Sequence, residues 1–418
     1  MKTQISFTCL LILLAATLPL HSQETSIYEW RGIDRLGIYP DQNLLKAWPE
    51  EGPALVWEYE GVGNGYGSPV FTPDNKLYIM GEADSLAWLI VLDHNGQFLW
   101  KKDFGNEWVK NYNGARCAPT VAGNEVYVTS GMGTIYCFNR HNGEKLWSID
   151  MVNDLGGEFP LYGFSEAVAI EGNRMFCTPG GPVHNVVALN RFTGELIWSN
   201  PGKGERSAYH QPKVITVGDQ SILVTFTAYT MLGLDTNTGD LLWVHDQENI
   251  PPEERKPGSG DTHSNSILYE DGFITYVEGD GNCTVKLALS PDGSTITDVW
   301  RNTDFDSYMG GFIKLGDWMY GCGSAKPALR SLNTQTGEIG SELKTASGNI
   351  ISADGMLYYY NFRGEVLLIK PDGPNMELIS KFRITKGQKE HFAHPVVHNG
   401  LLIIRHGDVL QAYQITRS

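Results

Sequence analysis

The sequence predicts an all-β protein, an eight-bladed β-propeller of four-stranded antiparallel blades that is closed by an N-terminal strand pairing with the C-terminal blade. Three observations predict this fold. A strand–turn–strand unit ending in tryptophan recurs along the chain, and Trp100, Trp147, Trp198 and Trp243 lie 47, 51 and 45 residues apart. No segment shows a sustained helical period. The last unit lacks an outer strand, whereas residues 54–60 resemble an outer strand without a unit before it. Self-similarity at this period in a strand-rich chain indicates propeller blades.

The recurring unit is clearest at residues 189–198, which read Leu-Asn-Arg-Phe-Thr-Gly-Glu-Leu-Ile-Trp. Asn190 ends an apolar run and is able to cap the turn through its side chain. Gly194 is suited to the positive φ that closes the turn. Related peptides occupy residues 92–100, 138–147, 234–243 and 332–339, and the last of these is followed by Ser341 where tryptophan is expected.

Eight units follow one another along the chain. They cover residues 66–100, 115–147, 162–198, 208–243, 263–300, 308–343, 348–382 and 391–415. The eighth stops after three strands, so we expect Ala54–Glu60 to supply its fourth. That pairing would close the ring and remove the exposed sheet edges.

The N-terminal region of the chain predicts where the protein is located. Residues 1–22 carry Lys2, then an apolar run too short to span a bilayer, and are interpreted as a signal peptide. Residues 23–53 form an N-terminal arm that we expect to be laid over a surface, and residues 54–418 form the propeller domain. The protein is therefore expected to be exported to the periplasm or the extracellular space, soluble rather than lipid-anchored, with no transmembrane segment in the mature chain. The long insertion at 247–260 is expected to be a surface flap.

Composition excludes some classes of partner. The chain has 48 acidic and 32 basic residues, a formal net charge of −16. Nucleic acid is therefore not expected as a partner, because no basic stripe offsets phosphate repulsion. Beyond the predicted signal peptide there are five cysteines, an odd number without a C-x-x-C motif. They are interpreted as small core residues of the strands, so they predict no zinc site.

The Leu-Asp/Asn-x-x-Thr-Gly-Glu-x-x-Trp repeat resembles that of the pyrroloquinoline-quinone (PQQ)-type β-propellers, over about residues 30–415. The arm beginning Trp30-Arg31-Gly32 and the segments 63–69 and 308–311 resemble a secreted bacterial branch of that family. The family includes quinoprotein dehydrogenases and non-catalytic scaffolds such as the outer-membrane-assembly propeller, so the resemblance predicts the fold better than the function.

The resemblance also implies the cofactor of one alternative, PQQ with calcium; the residues by themselves assign no cofactor and no metal. Two features depart from the dehydrogenases. No two cysteines are adjacent in this sequence, and the chain is shorter than those enzymes. The assembly scaffold is typically a lipoprotein, and the expected cleavage point here has no lipid-anchor cysteine.

The loops that enter the innermost strands predict a binding site at one mouth of the channel. Aligning the units on Pro69, Pro119, Ala167, Pro212, Ser266, Gly311 and Pro395 gives a ring of polar and aromatic residues that differ from blade to blade. Varied groups on a repeated frame are typical of a ligand site, although a wet channel mouth without a ligand is the alternative. The candidate residues are Tyr66, Arg116, Glu166, Tyr209, His210, Gln211, His263, Asn265, Tyr308, Asn349 and His394.

Three functions stay open on this evidence. The first is a non-catalytic binding or scaffold module of the cell envelope, with a small-molecule or carbohydrate ligand or an envelope protein as its partner. The second is a PQQ-dependent alcohol or sugar dehydrogenase. The third is a glycan-active lyase or hydrolase, in which Glu166, Arg116 and His210 would act as base and anion stabiliser, or Glu166 and the histidines would hold a metal. A neutral or weakly anionic sugar-like ligand fits the tyrosines and amides of the ring.

Overall fold

Eight antiparallel sheets of four propeller strands each form the ring, as predicted. The computed structural model describes residues 26–246, 251–254, 263–279 and 283–417. The predicted signal peptide, 1–22, and most of the predicted flap, 247–260, lie outside the described residues. No helix within the described part of the chain is long and apolar enough to span a bilayer.

The blades are numbered here in chain order, and each begins with its innermost strand. Blades 1 to 4 consist of Val70–Phe71, Lys76–Ala83, Leu86–Asp93 and Phe98–Asn106; Thr120–Ala122, Glu125–Thr129, Thr134–Asn139 and Lys145–Asp150; Ala169–Glu171, Arg174–Cys177, Val186–Asn190 and Leu196–Asn200; Lys213–Val217, Gln220–Phe226, Thr230–Asp235 and Leu241–Asp246.

Blades 5 to 8 follow the same order except at the end. They consist of Leu268–Glu270, Phe273–Val277, Thr284–Leu289 and Ile296–Asn302; Phe312–Leu315, Trp318–Cys322, Leu329–Asn333 and Ile339–Leu343; Gly348–Ala353, Met356–Asn361, Glu365–Asp372 and Asn375–Arg383; Val396–His398, Leu401–His406, Val409–Gln414 and the N-terminal strand Leu55–Glu60.

The N-terminal strand closes the ring. Leu55–Glu60 pairs antiparallel with Val409–Gln414, with Trp57 opposite Ala412 and Tyr59 opposite Leu410. This confirms the predicted closure, and it leaves the ring without an open blade edge.

The repeated tryptophans join neighbouring blades. Five of these indoles, those of Trp57, Trp100, Trp147, Trp198 and Trp300, lie over the turn glycine of the next blade; a Cβ on Gly194, for example, would lie 2.8 Å from Trp147 Cε3. The turn therefore needs glycine for close approach as well as for its φ of 77°. Five indole Nε1 groups also donate to a backbone oxygen of the next turn: Trp57 to His94, Trp147 to Arg191, Trp198 to Thr236, Trp243 to Gly293 and Trp300 to Thr334.

Blade 6 lacks this tryptophan and joins blade 7 in another way. Ser341, which replaces it, donates its hydroxyl to Pro374 O, and Ser331 does the same. The Tyr320 hydroxyl donates to Gly373 O at 2.6 Å. Hydrogen bonds to the turn of blade 7 thus take the place of the stacked indole.

The first part of the N-terminal arm, through Tyr39, lies in the central channel, so the expectation that the arm is laid over a surface was wrong for that part; farther on, Leu44 bridges to Thr416 of blade 8 and Trp48 packs on blade 7. Its strand Ile27–Tyr28 pairs antiparallel with the innermost strand of blade 2, and its strand Ile38–Tyr39 pairs parallel with the innermost strand of blade 7. A 3-10 helix, Ile33–Arg35, joins the two, and another, Pro252–Glu254, follows blade 4. Sequence reasoning missed this because the pairing depends on partners about 90 and 310 residues away.

Two buried arginines hold the arm in place. Arg31 donates to Ile350 O and Phe312 O, both at 2.7 Å, which ties the arm to blades 7 and 6. Arg35 donates to Pro212 O at 2.7 Å and to Val168 O at 2.8 Å, at the entrances of blades 4 and 3, and its Nε bonds to Glu29. The arm therefore cross-links innermost strands from opposite sides of the ring.

Candidate ligand site at the channel mouth

A cavity of about 430 Å³ opens at the face of the ring where the chain enters the innermost strands. Loops of all eight blades reach this face, because every blade starts from its innermost strand. The cavity is lined by Trp30, Tyr66, Gly67, Ser68, Tyr112, Arg116, Ala118, Tyr162, Ser165, Tyr209, Gln211, Ser264, Tyr308, Met309, Phe362, Phe392 and His394. We call this space the mouth cavity.

Seven aromatic side chains form a continuous chain of ring contacts around the mouth cavity, which we call the aromatic collar. Successive centroids are 4.8 to 6.3 Å apart, within the range of favourable edge-to-face and offset contacts. The collar thereby presents apolar surface together with phenol hydroxyls. Its members are Phe362, Phe392, Tyr66, Tyr112, Tyr162, Tyr209 and Tyr308.

Four of the seven collar residues occupy one fixed position in the repeat. Tyr66, Tyr209, Tyr308 and Phe392 each precede the aligned strand-entry residue of their own unit by three positions, as Tyr66 precedes Pro69. All four line the mouth cavity, whereas Phe164 and His263, which have the same offset in blades 3 and 5, are buried outside the lining. Arg116 occupies this position in blade 2.

The arm forms the floor of the mouth cavity. Trp30 packs with Val70 and Ala118 and contacts the His394 ring edge-on at 5.0 Å. His394 Nδ1 accepts from Arg31 Nη1 at 2.9 Å, and its Nε2 donates to Met309 O at 2.7 Å. These two bonds require the neutral imidazole. Burial, together with the Arg31 guanidinium, holds the pKa of His394 well below its usual range.

Arg116 brings the only permanent charge to the lining of the mouth cavity, which contains no Asp or Glu. Its Nη2 donates to Tyr112 O at 2.6 Å and to Asn111 O at 3.2 Å, whereas its Nη1 has no acceptor. Burial lowers the pKa of the guanidinium, and nearby Glu107 opposes that shift. Burial raises the pKa of Glu107 to about 7. The guanidinium also lies close enough to several collar tyrosines to interact with them electrostatically.

Six of the eleven predicted site residues line the mouth cavity: Tyr66, Arg116, Tyr209, Gln211, Tyr308 and His394. The structure places the other five elsewhere. Two of those five, Asn265 and Asn349, link neighbouring blades by hydrogen bonds. Gln211, which does line the cavity, makes a link of the same kind. Gln211 Oε1 accepts from Ala167 N at 2.8 Å, Asn265 Nδ2 donates to Ser307 O at 2.7 Å, and Asn349 Nδ2 donates to Ala393 O at 3.1 Å.

The three remaining candidates, Glu166, His210 and His263, are buried among the blades and are not part of the lining. Glu166 Oε1 accepts from Thr178 N at 3.0 Å, and burial raises the pKa of this carboxyl to about 8. His210 and His263 pack on Phe226, with ring centroids at 4.5 and 4.2 Å. Burial, reinforced by Arg35, lowers the pKa of His210 to about 3. These groups do not converge with Arg116 on one reacting position.

Sequence reasoning missed part of the lining, chiefly Trp30, Tyr112, Tyr162, Phe362 and Phe392. The three-residue offset before strand entry would have found Phe392, since it is the position of Tyr66 in its own unit. Trp30 carries no such signal, because its place depends on the path of the arm through the channel.

A family model described as outer membrane protein assembly factor BamB matches residues 42–158 and 131–372. The chain belongs to this family. BamB of Shewanella oneidensis is 30% identical over 177 residues, which are 41% of this chain and 41% of that protein. The quinoprotein alcohol dehydrogenase PedH of Pseudomonas putida is 24% identical over 185 residues, 41% of this chain and 29% of the enzyme. The chain thus matches less than half the length of these curated relatives.

The solved structure of BamB from Moraxella catarrhalis superposes with a TM-score of 0.58. It is 13% identical, and the match covers 87% of this chain and 98% of that one. At this identity the likeness shows the fold alone, a β-propeller, as the sequence predicted.

The residues present do not fit PQQ with calcium. PQQ is a tricarboxylate, and the mouth cavity offers one cation, Arg116, against three negative charges. Calcium prefers several carboxylate and carbonyl oxygens, and the lining contributes no carboxylate. Within the described residues no three or more His, Cys, Asp or Glu side chains are grouped to hold a metal ion. The five described cysteines are buried, none of them forms a disulfide, and none is part of the lining.

Proposed function

We propose that this BamB-family protein is a non-catalytic binding propeller of the cell envelope, exported by its N-terminal segment, with the mouth cavity as its ligand site. One observation carries the proposal: the aromatic collar, closed below by Trp30, surrounds a cavity of about 430 Å³. Concave sites with aromatic walls and a few polar groups are typical of small-ligand binding. Membership of a family described as an outer membrane assembly factor supports placement in the envelope.

A binding role fits better than catalysis because the ionisable groups are in the wrong places. A general base must reach the substrate to within hydrogen-bonding distance. Glu166, His210 and His263 are all buried outside the lining. Within the lining, His394 is held neutral by bonds at both ring nitrogens. Sugar-like ligands suit the collar, since aromatic faces pack on C–H surfaces while phenol, serine and amide groups bond to hydroxyls.

The test is an oligosaccharide array probed with the purified protein, followed by mass spectrometry of any ligand bound. We expect binding that leaves the saccharide unchanged and that Tyr112→Ala weakens at least about tenfold, the loss of roughly one stacking contact. Phe98→Ala is the matched control, because Phe98 is 53% exposed on the outer strand of blade 1 and Tyr112 is 51% exposed at the mouth.

Three outcomes would contradict the proposal. Cleaved or eliminated saccharide products would favour the lyase or hydrolase. Dye reduction by protein reconstituted with PQQ and calcium would favour the dehydrogenase. Saccharide binding that is equally weakened by Phe98→Ala would place the site away from the mouth cavity.

A further inference from the structure

We propose that His406 is a pH-sensitive positioning residue of the mouth. With its ring doubly protonated it clamps the chain segment that brings Glu390 and Phe392 to the aromatic collar, and it releases that segment when the ring loses a proton. The segment, residues 386–392, joins the outer strand of blade 7 to the innermost strand of blade 8, and we call it the crossover. The inference goes beyond the proposed function, because it does not depend on which ligand the mouth cavity binds.

The crossover supplies part of the wall of the mouth cavity. The Glu390 carboxylate accepts from the Tyr66 hydroxyl at 2.8 Å, and Lys389 Nζ donates to Asn113 O at 3.0 Å, beside Tyr112 in the chain. Phe392 makes ring contacts of 4.8, 5.5 and 6.2 Å with three other members of the collar: Phe362, Tyr66 and Tyr112. The position of the crossover therefore sets the order of half the collar.

The ring of His406 bonds to the backbone of the crossover through both of its nitrogens. Nδ1 donates to Lys386 O at 2.7 Å, and Nε2 donates to Lys389 O at 2.9 Å. A carbonyl oxygen only accepts, so each of these bonds needs a proton on the ring nitrogen. The neutral imidazole carries one such proton and the imidazolium carries two. Both bonds therefore exist together only when the His406 ring is charged.

The ring that stacks on His406 is neutral. The centroids of His391 and His406 are 3.7 Å apart, with 18° between the ring planes. His391 Nδ1 accepts from the Tyr360 hydroxyl. Burial lowers the pKa of His391 to about 4, and the nearby His406 adds to this shift. Above about pH 4, the stacked pair therefore carries its charge on His406 alone.

The backbone of the crossover is strained and lies directly on the His406 hairpin. Lys389 has a φ of 69°, a conformation that lysine rarely adopts. A Cβ on Gly387 would lie 2.7 Å from His406 Nδ1, and a Cβ on Gly407 would lie 2.0 Å from Gln388 O. Strained backbone persists where the surrounding contacts hold it in place. Loss of one bond to His406 therefore favours release of the crossover.

The other charged groups around this clamp have partners of their own. Lys386 Nζ pairs with Glu58 and Glu60. Arg405 turns away and donates to Gly67 O at 2.9 Å and Met80 O at 2.7 Å. Asp408, in the same hairpin turn, favours the charged form of the His406 ring. The described titratable groups of the surrounding elements are Lys386, Lys389, Glu390 and His391 on the crossover, Arg405 and Asp408 on the hairpin, Tyr360, Arg363 and Arg383 on blade 7, Tyr66 on blade 1, and Glu58 and Glu60 on the N-terminal strand.

The direction of the pH effect follows from the proton count. The clamped crossover holds one proton more than the released crossover, so acid favours the clamped form. Histidine ordinarily titrates between about pH 5 and 8, and the clamp is lost as pH rises through that range. In the neutral ring, one nitrogen lone pair faces a carbonyl oxygen, and this repulsion replaces a hydrogen bond.

The first measurement is nuclear magnetic resonance of the purified, ligand-free protein labelled with ¹⁵N-histidine. We expect both ring nitrogens of His406 to be protonated at about pH 5.5 and only one at about pH 7.5. The second measurement follows the ¹⁹F signal of fluorophenylalanine at Phe392, assigned as the signal that Phe392→Leu removes. A soluble spin label should broaden this signal at least about twofold more at the higher pH, because release of the crossover exposes the ring.

His406→Gln keeps an amide donor but does not titrate, so broadening at Phe392 should be the same at both pH values. His398→Gln is the matched control, because the His398 ring stacks on Phe71 at 4.2 Å at the opposite face of blade 8. It should keep the pH dependence at Phe392. Phe71, which is half-buried like Phe392, serves as the reference signal.

Three results would overturn the inference: a His406 ring with a single proton at about pH 5.5, broadening at Phe392 that does not change with pH, or a change that survives in His406→Gln. If His406→Gln does not fold, the two measurements on the wild-type protein decide. Because no ligand is present, any of these results leaves the proposed binding function standing.

Discussion

The turns at the outer rim and the entry loops at the channel mouth recur once in every blade, yet they differ in how strictly the repeat is kept. At the rim, one contact recurs at five of the eight blade junctions, with a tryptophan over the turn glycine of the next blade. At the mouth, the same backbone position carries tyrosine in three blades, phenylalanine in two, His263 in blade 5 and Arg116 in blade 2. Uniform contacts maintain a ring, whereas dissimilar side chains on a uniform frame create a site.

The channel shows the contrast most directly. The ring is eightfold repetitive, but a single, unrepeated arm fills its centre and forms the floor of the mouth cavity. Trp30 and Arg31 belong to the arm, which occurs only once, so no blade contains an equivalent of either residue. We therefore expect the rim to govern stability and the channel mouth to govern ligand binding, and the following variants test these two expectations.

The largest effect is expected from removing residues 1–60. This deletion takes away the outer strand of blade 8 and the arm together, so the ring is open and the channel empty. We expect no cooperative thermal transition by circular dichroism. Deleting only residues 1–22 is the control. A 1–60 deletion that melts like this control would show that neither segment matters for folding.

A shorter deletion, of residues 1–44, separates the two contributions. It keeps Leu55–Glu60 and hence the closed ring, but it removes the arm. We expect a cooperative transition at reduced temperature together with loss of saccharide binding, because Trp30 no longer closes the cavity. If this variant still binds saccharide, the arm is not part of the ligand site.

Trp198→Ala tests the rim contact alone. Trp198 is 9% exposed, lies over the turn glycine of blade 4, and donates to Thr236 O at 3.0 Å. We expect a loss of about 3–5 kcal/mol in the free energy of unfolding by denaturant titration. Leu196→Ala in the same strand should cost about 0.5 kcal/mol or less, because Leu196 is 44% exposed. A loss below about 1 kcal/mol for Trp198→Ala would mean that the tryptophan ring is not structural.

His263→Ala and Arg116→Ala compare a buried channel residue with a lining residue. His263 is 2% exposed and stacks on Phe226 at 4.2 Å, so its loss should cost about 2 kcal/mol in the free energy of unfolding. Arg116→Ala gives up two bonds to backbone oxygens and should cost about 1 kcal/mol. Saccharide binding should fail only in Arg116→Ala. If a folded His263→Ala protein failed to bind saccharide, the ligand site would have to include residues behind the cavity wall.

The smallest effect is a pH dependence from the buried carboxyl of Glu166. Burial raises its pKa in the folded state to about 8, above the ordinary value near 4.5. The folded state therefore holds a proton that the unfolded state releases, and its stabilising effect is present at low pH and lost as pH rises through 8. Glu166→Gln keeps an acceptor for Thr178 N without titrating. We expect its melting temperature to gain about 2 °C or more relative to the wild type between pH 5 and pH 8.

Buried Glu278, whose pKa is also raised to about 8 by burial, is unchanged in both proteins, so its contribution cancels in this comparison. A constant difference between Glu166→Gln and wild type over this pH range would show that Glu166 is ionised in the folded protein.

The sequence by itself determined the elements whose signals are local. A turn glycine with a tryptophan four residues later predicted blades 1 to 4, because that pattern acts within one hairpin, and the length of the repeat predicted the remaining units. The count of outer strands predicted closure by Ala54–Glu60. The aligned strand entries also predicted that Tyr66, Arg116, Tyr209 and Tyr308 would meet, since equivalent loops of a ring share one face.

Only the tertiary structure decided what fills the channel and which polar residues face it. Asn265 and Asn349 bond to backbone of the next blade, and Glu166, His210 and His263 turn into the interior between blades. Side chains one or two residues apart in a loop point in different directions, one into the cavity and another into the interior between blades. The sequence alone does not determine which of them faces the cavity. The position of Trp30 follows from pairing between the arm and strands of blades 2 and 7. That pairing is set by burial of the arm along the channel axis, a constraint that exists only once the ring has closed.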